Sequence, residues 1–236
     1  KGGYVEDADI WSGQDIIIQD GVNAGENGRI EAMGNISARF FENAHIISHS
    51  DIKCDYMLNT TALAYGGIYL EGKRGSVIGG DVTGVRGICI KACGSESYSK
   101  TVLRVGVTKE ISSEYAKVLM VLKDIDTQID RFNQALQKLD ILKKAGSDKF
   151  DETLNRKLLQ SKIVKTAEKA KYEEKSRNLY TLVRESDRAV VRIDKNIYPG
   201  SRVFMGDKTY VPSTVFTHIA LKKTSQGVLI RNYDSM

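Results

Sequence analysis

Ile30-Glu31-Ala32-Met33-Gly34-Asn35-Ile36, Ile46-Ile47-Ser48-His49-Ser50-Asp51-Ile52 and Ala62-Leu63-Ala64-Tyr65-Gly66-Gly67-Ile68 repeat one pattern: two apolar anchors six residues apart around a turn. The same step opens at Ile10 and closes at Ile16 after Ser12-Gly13-Gln14-Asp15, and a fifth copy is read from Ser76 to Val82 across Ile78-Gly79-Gly80-Asp81. Successive copies start 20, 16, 16 and 14 residues apart, too short for a helix pair and about one solenoid coil. Gly, Asn and Asp in the turns accept the left-handed backbone that a sharp corner needs. One coil cannot bury its own apolar side. Coils stacked about 4.8 Å apart pair their backbones and align the anchors into a dry interior. The closest internal match sets Val5-Glu6-Asp7-Ala8-Asp9-Ile10 against Phe41-Glu42-Asn43-Ala44-His45-Ile46, two coils later. This favours a parallel β-helix over a sandwich. The six-residue step occurs once per coil and the remainder varies, which points to the right-handed form.

The β pattern occupies residues 1–107, gives way to helix over 108–188 and resumes over 189–236. Ile111, Tyr115, Val118, Leu122, Ile125, Ile129, Phe132, Leu136, Leu139 and Leu142 alternate steps of four and three, a coiled-coil seam. Ala145-Gly146-Ser147-Asp148 supplies a helix stop and a cap for the next helix. The second helix, from about Phe150 to Ser186, has a thinner stripe of Leu154, Leu158, Val164, Ala167, Tyr172, Leu179 and Val183. The short turn folds the two back antiparallel. At 1.5 Å per residue each arm is roughly 50 Å long, and the expectation is a stalk projecting from the solenoid. Tyr210-Val211, Phe216 to Leu221 and Val228-Leu229-Ile230 read as closing strands, the last two as a hairpin over the open edge.

Composition bounds the function class. With 236 residues and 41% apolar content the chain can bury a core, and 21 glycines against two prolines suit many tight turns. A net charge of +5 permits an acidic partner without arguing for one. Three cysteines argue against a disulfide framework and fit a reducing compartment, so the expected location is cytoplasmic. No apolar run reaches membrane-spanning length, which excludes insertion by a helix. Lys1-Gly2-Gly3 reads as the interior of a repeat, so the expectation is a fragment with coils upstream.

Several constellations bear on chemistry. Asp15, Asn35, Asp51, Gly67 and Asp81 form a corner row where polysaccharide-cleaving β-helices place acids, yet Asp15 and Asp51 stand two coils, about 10 Å, apart. Asp and Asn are also what sharp corners choose. Cys89 and Cys93 with His45 and His49 lack the two close ligand pairs of a zinc ribbon, and buried thiols explain the cysteines better. Gly79-Gly80-Asp81 and Gly66-Gly67 are followed by no Gly-Lys-Ser/Thr, and no nucleophile elbow occurs. No catalytic residue, cofactor or metal ligand is expected.

What remains is a scaffold that engages an unidentified protein partner. Its first candidate contacts are Lys143, Lys144, Lys149 and Phe150 at the turn, then a basic strip of Arg156, Lys157, Lys162, Lys165 and Lys169. An ordinary exposed turn and a solvated helix face are the bland alternatives. Self-association through the thin second seam is a further expectation. A glycan-acting β-helix enzyme and nucleic-acid binding through the strip are the alternatives of other classes. Tyr172 is the single aromatic among those charges, which argues against a base-stacking platform.

Ala38-Arg39-Phe40-Phe41-Glu42-Asn43-Ala44, Gly75-Ser76-Val77-Ile78-Gly79-Gly80, Gly94-Ser95, Val105-Gly106-Val107 and Ile197-Tyr198-Pro199-Gly200 occur in an order and spacing that resembles the bacterial flagellar assembly protein A family over essentially the whole chain. The resemblance implies a right-handed β-helix with an inserted coiled coil, a cytoplasmic protein, and a role in flagellar assembly or its regulation through protein contacts. It also implies no catalytic motif. A weaker likeness is to the β-helical domain of the division inhibitor MinC. Cys89, Cys93 and Ser97-Tyr98-Ser99 depart from the family pattern and touch only local loop behaviour.

Overall fold

The computed structural model describes residues 3–25, 28–107, 109–186 and 188–232. They fall into two compact units, one of Lys1–Thr108 with Leu182–Met236 and one of Lys109–Thr181. The first is a parallel β-solenoid with three strand faces per coil. On the first face Ile10, Ile30, Ile46, Ala62, Val82, Leu103 and Val203 pair in sequence. On the second, Ile16, Ile36, Ile52, Ile68, Ile88 and Val191 do so. On the third the row is Val5, Val22, Phe41, Met57, Val77, Cys93 and Ile197. Strand alternation sends these side chains inward, and Ile30, Ile36, Ile52, Ile68 and Ile88 are 0% exposed. Each such rung contributes roughly 1.5–3 kcal/mol by leaving water.

The match of Val5–Ile10 to Phe41–Ile46 is the true register two coils apart. The fifth copy is shifted from its expected place. Ala62 pairs with Val82, not Ser76, and Ile68 pairs with Ile88, not Val82. Cys54 is two residues before Tyr56, whereas its rung-mate Leu70 is six before Ser76, so the loop at 71–75 lengthens that coil by four. Ser76, Val82 and Ile88 happen to be spaced by six, which disguises the slip.

One corner recurs from coil to coil. After the third face, Asp7, Asn43, Asn59 and Gly79 share a left-handed backbone at φ 47°, 47°, 47° and 70°. Gly80 follows at φ 80°, where a Cβ would run into the Thr60 carbonyl oxygen. At the upper end Phe216–Lys223 lies antiparallel on Val190–Ile197, Val228–Asn232 pairs on it in turn, and Lys208–Tyr210 folds back on Ser201–Met205. These are the expected closing strands, and they cover the edge that the last rung would otherwise expose.

The second unit is built on α1 (Lys109–Lys144) and α2 (Glu152–Ser186). They run antiparallel, since Asp126 meets Lys169 and Tyr115 lies 6.4 Å from Tyr180. A Schellman stop ends α1: Ser147 N–H donates to the Leu142 carbonyl, Gly146 N–H to that of Lys143, with Gly146 at φ 61°. The cap of α2 is Asp151, whose Oδ1 accepts the Leu154 N–H at 3.0 Å, rather than the expected Ser147-Asp148. All ten predicted seam residues of α1 are buried or half-buried. The seam of α2 differs from the expected stripe: Leu154, Val164 and Ala167 are exposed. Its inward series is Asn155, Leu158, Lys162, Lys165, Lys169, Tyr172, Ser176, Leu179 and Val183, a regular four-three alternation that crosses three lysines.

Candidate functional site

The hairpin enters the solenoid at one definable point. Gly84 pairs with Val105 and Gly87 with Val190, so the corner that the coil beneath turns with Val85-Arg86 is here Gly106 and Ala189, with 107–188 between them. Gly106 N–H donates to the Val85 carbonyl, as a normal coil residue would. Arg86 Nε lies 2.6 Å from the Glu185 carboxylate near the end of α2.

At the far end, Lys143 and Lys144 occupy the last turn of α1, where cations complement the helix dipole. Both are exposed, as is Lys149; Phe150 is half-buried. Lys144 pairs with Asp140 at 2.6 Å, and the Lys143 ammonium sits 5.6 Å from the Phe150 ring centre. The turn therefore gathers Lys143, Lys144, Lys149 and Phe150 within one short segment, with the Lys143 ammonium over the Phe150 ring.

The basic strip does not form one face. Arg156 and Lys157 are exposed, whereas Lys162, Lys165 and Lys169 turn toward the seam with half-buried side chains. Lys169 reaches Asp126 on α1 at 2.7 Å and Glu173 at 3.6 Å, and the hydrogen bond to Asp126 raises its pKa. Lys165 pairs with Glu168 at 2.7 Å. Lys175, outside the strip, is held by Glu114 at 2.6 Å, which raises its pKa likewise. Lys169 and Lys175 thereby tie α2 to α1, while Lys165 pairs along α2. Sequence reading missed this because lysines were sorted by charge, while their methylene stems can lie along an apolar seam. The four-three spacing was the available signal. Beside the Glu114–Lys175 pair, a groove of about 720 Å³ is lined by Val118, Val121 and Tyr172.

The corner row of the solenoid has a structural occupation. Asp15 Oδ1 accepts the Asn35 N–H at 2.6 Å, Asn35 Oδ1 that of Asp51 at 3.2 Å, and Asp51 Oδ1 that of Gly67 at 2.7 Å. Each side chain satisfies a backbone donor one coil on. By register the fifth member is Gly87, not Asp81, whose carboxylate takes a bidentate bond from Arg104 on the first face. Cys93 points into the core and Cys89 sits half-exposed on the outer side of the wall, so the two do not converge. Burial pushes the Cys93 thiol up to about 12 and raises Cys54 and Cys89 as well. His49 stacks on Tyr65 at 4.9 Å and approaches Glu31 at 3.6 Å. Among the described residues, no group of three or more His, Cys, Asp or Glu could hold a metal ion, and no helix is long and apolar enough to cross a membrane.

The parallel solenoid agrees with the description of a family model that matches the chain. The model of the Flagellar Assembly Protein A beta solenoid domain matches residues 2–226. No curated protein and no solved structure matches the chain. With nearly its whole length covered, the chain belongs to the Flagellar Assembly Protein A β-solenoid family.

Proposed function

We propose that this protein is a non-enzymatic cytoplasmic scaffold that serves flagellar assembly, or its regulation, by offering its helical hairpin to a protein partner. One observation carries the reading. The segment 107–188 is inserted at a corner that needs two residues, and the rungs on either side stay in register, Ile88 with Val191 and Leu103 with Val203. Stacking of coils does not require the hairpin, so its length is available for contact. The turn residues Lys143, Lys144, Lys149 and Phe150 are the proposed first contacts. Arg156 and Lys157 extend them along α2, and Lys162, Lys165 and Lys169 contribute through their ammonium ends. Family membership supports the flagellar setting. Against catalysis at the acidic corner stands its use in capping backbone N–H groups coil to coil.

Affinity capture from native lysate tests the reading, with the intact chain compared against a variant lacking 107–188. A partner captured by the first and lost by the second supports the hairpin as the contact. Equal capture by both moves the contact to the solenoid. Turnover on a panel of glycans would overturn the non-enzymatic reading, and salt-sensitive retention on heparin would favour nucleic acid.

A further inference from the structure

The middle of α2 is inverted relative to an ordinary amphipathic helix. Lysines 162, 165 and 169 fill inward positions, while Ile163 is 68% and Val164 60% exposed on the other side. The outward residues have their own four-three spacing: Arg156, Gln160, Ile163, Ala167, Ala170 and Glu174, all exposed. At 100° per residue this series lies on the side of α2 opposite its seam with α1. It is thus a second heptad seam.

This seam is self-complementary in one orientation only. Laid antiparallel on a second copy, with the two-fold between Ile163 and Ala167, it sets Arg156 opposite Glu174, Gln160 opposite Ala170 and Ile163 opposite Ala167, each pair formed twice. Large side chains meet small ones and cations meet anions. Laid parallel, Arg156 meets Arg156 and Glu174 meets Glu174. Arg156 is held within its own chain only by a 3.8 Å approach to Glu152, with both side chains about four-fifths exposed, a pair of negligible strength that a better partner displaces. We infer that the outer face of α2 is a homodimer interface, in which two hairpins pair antiparallel through Arg156, Ile163, Ala167 and Glu174. An isologous contact of this kind closes at two copies.

The inference rests on the reading of the hairpin as an interaction element, but the two fail separately, since self-pairing is measured on the purified chain without any partner. Sedimentation velocity of the full-length chain is expected to show a dimer. Ile163→Asp is expected to weaken it by about tenfold or more, with helical circular dichroism unchanged. Arg156→Glu is expected to weaken it as well, and adding Glu174→Arg to that variant to restore it. Should Ile163→Asp lose helix signal, this charge exchange decides alone. On mild oxidation the double variant Gln160→Cys/Ala170→Cys is expected to give a cross-linked dimer. Either single cysteine is expected to give no more than the wild-type chain. A chain that stays monomeric at every concentration overturns the inference. So does a dimer indifferent to the Arg156 and Glu174 exchange, or cross-linking by Gln160→Cys alone as efficient as by the pair.

Discussion

The solenoid and the hairpin solve the same problem, covering apolar surface, with neighbours drawn from different distances along the chain. Before the hairpin a rung residue rests on one 16 to 21 residues away, and across it Ile88 rests on Val191 and Leu103 on Val203; every described inward position of the second face is apolar or small. Polar needs are met at corners, by side chains that reach one coil on. In the hairpin the seam partners come from the opposite arm, and the seam tolerates Lys165 and Lys169 because their ends find Glu168 and Glu173 on the same helix and Asp126 across it. A filled, dry stack gains most from each buried atom. A mixed seam gains less per residue, yet leaves more of its chemistry at the surface. Stability is therefore concentrated in the part that the family name describes, and the recognition proposed above falls to the part that interrupts it.

The difference can be broken most severely at Phe41, which is fully buried between Val22 and Met57. Phe41→Ala is expected to cost about 3–5 kcal/mol in denaturant unfolding, all of it in the β transition. Next comes the corner ladder. Asp51→Ala orphans the Gly67 N–H and should cost about 1–3 kcal/mol, while Asp15→Ala, in a more exposed turn, should cost less. The hairpin should answer in the opposite direction. Lys162→Leu completes a heptad position and is expected to stabilise the helical transition by about 1 kcal/mol.

A smaller effect comes from pH. Lys169 has its pKa raised from 10.5 by Asp126, so their contact contributes below the unfolded-state value and is lost as pH rises through the folded one. Asp126→Asn should therefore lower the helical melting temperature at pH 7, with the gap to wild type closing above pH 10.5. Last, thiol labelling under native conditions should modify Cys89 first and leave Cys54 and Cys93 unreacted, as mass spectrometry of the digested chain can show.

Much of this is legible in the sequence. Ile36, Ile52 and Ile68 obey a fixed offset from the preceding anchor, and the α1 seam follows the heptad without fault, so in both cases one residue type at one period decides. The fifth coil was misread because the inserted loop at 71–75 has no signature besides its consequence, and spacing by six persists through it. The α2 seam was misread because burial of a lysine stem depends on where its ammonium can go, here to Asp126, which is 43 positions away and invisible to local pattern. The corner acids read as turn formers rather than catalysts; that their side chains reach backbone N–H groups one coil on has no signature in a local pattern. The turn residues of the hairpin were singled out by sequence and lie together, as a short loop obliges them to.

Removal of 107–188 tests the account most directly, because it leaves Gly106-Ala189 as a two-residue corner like Val85-Arg86. Far-UV circular dichroism through a denaturant titration should give a β spectrum and one cooperative transition, with a midpoint matching the β transition of the intact chain. A shortened chain that aggregates, or that shows no cooperative β transition while the intact chain does, would mean the helices are part of what holds the coils together.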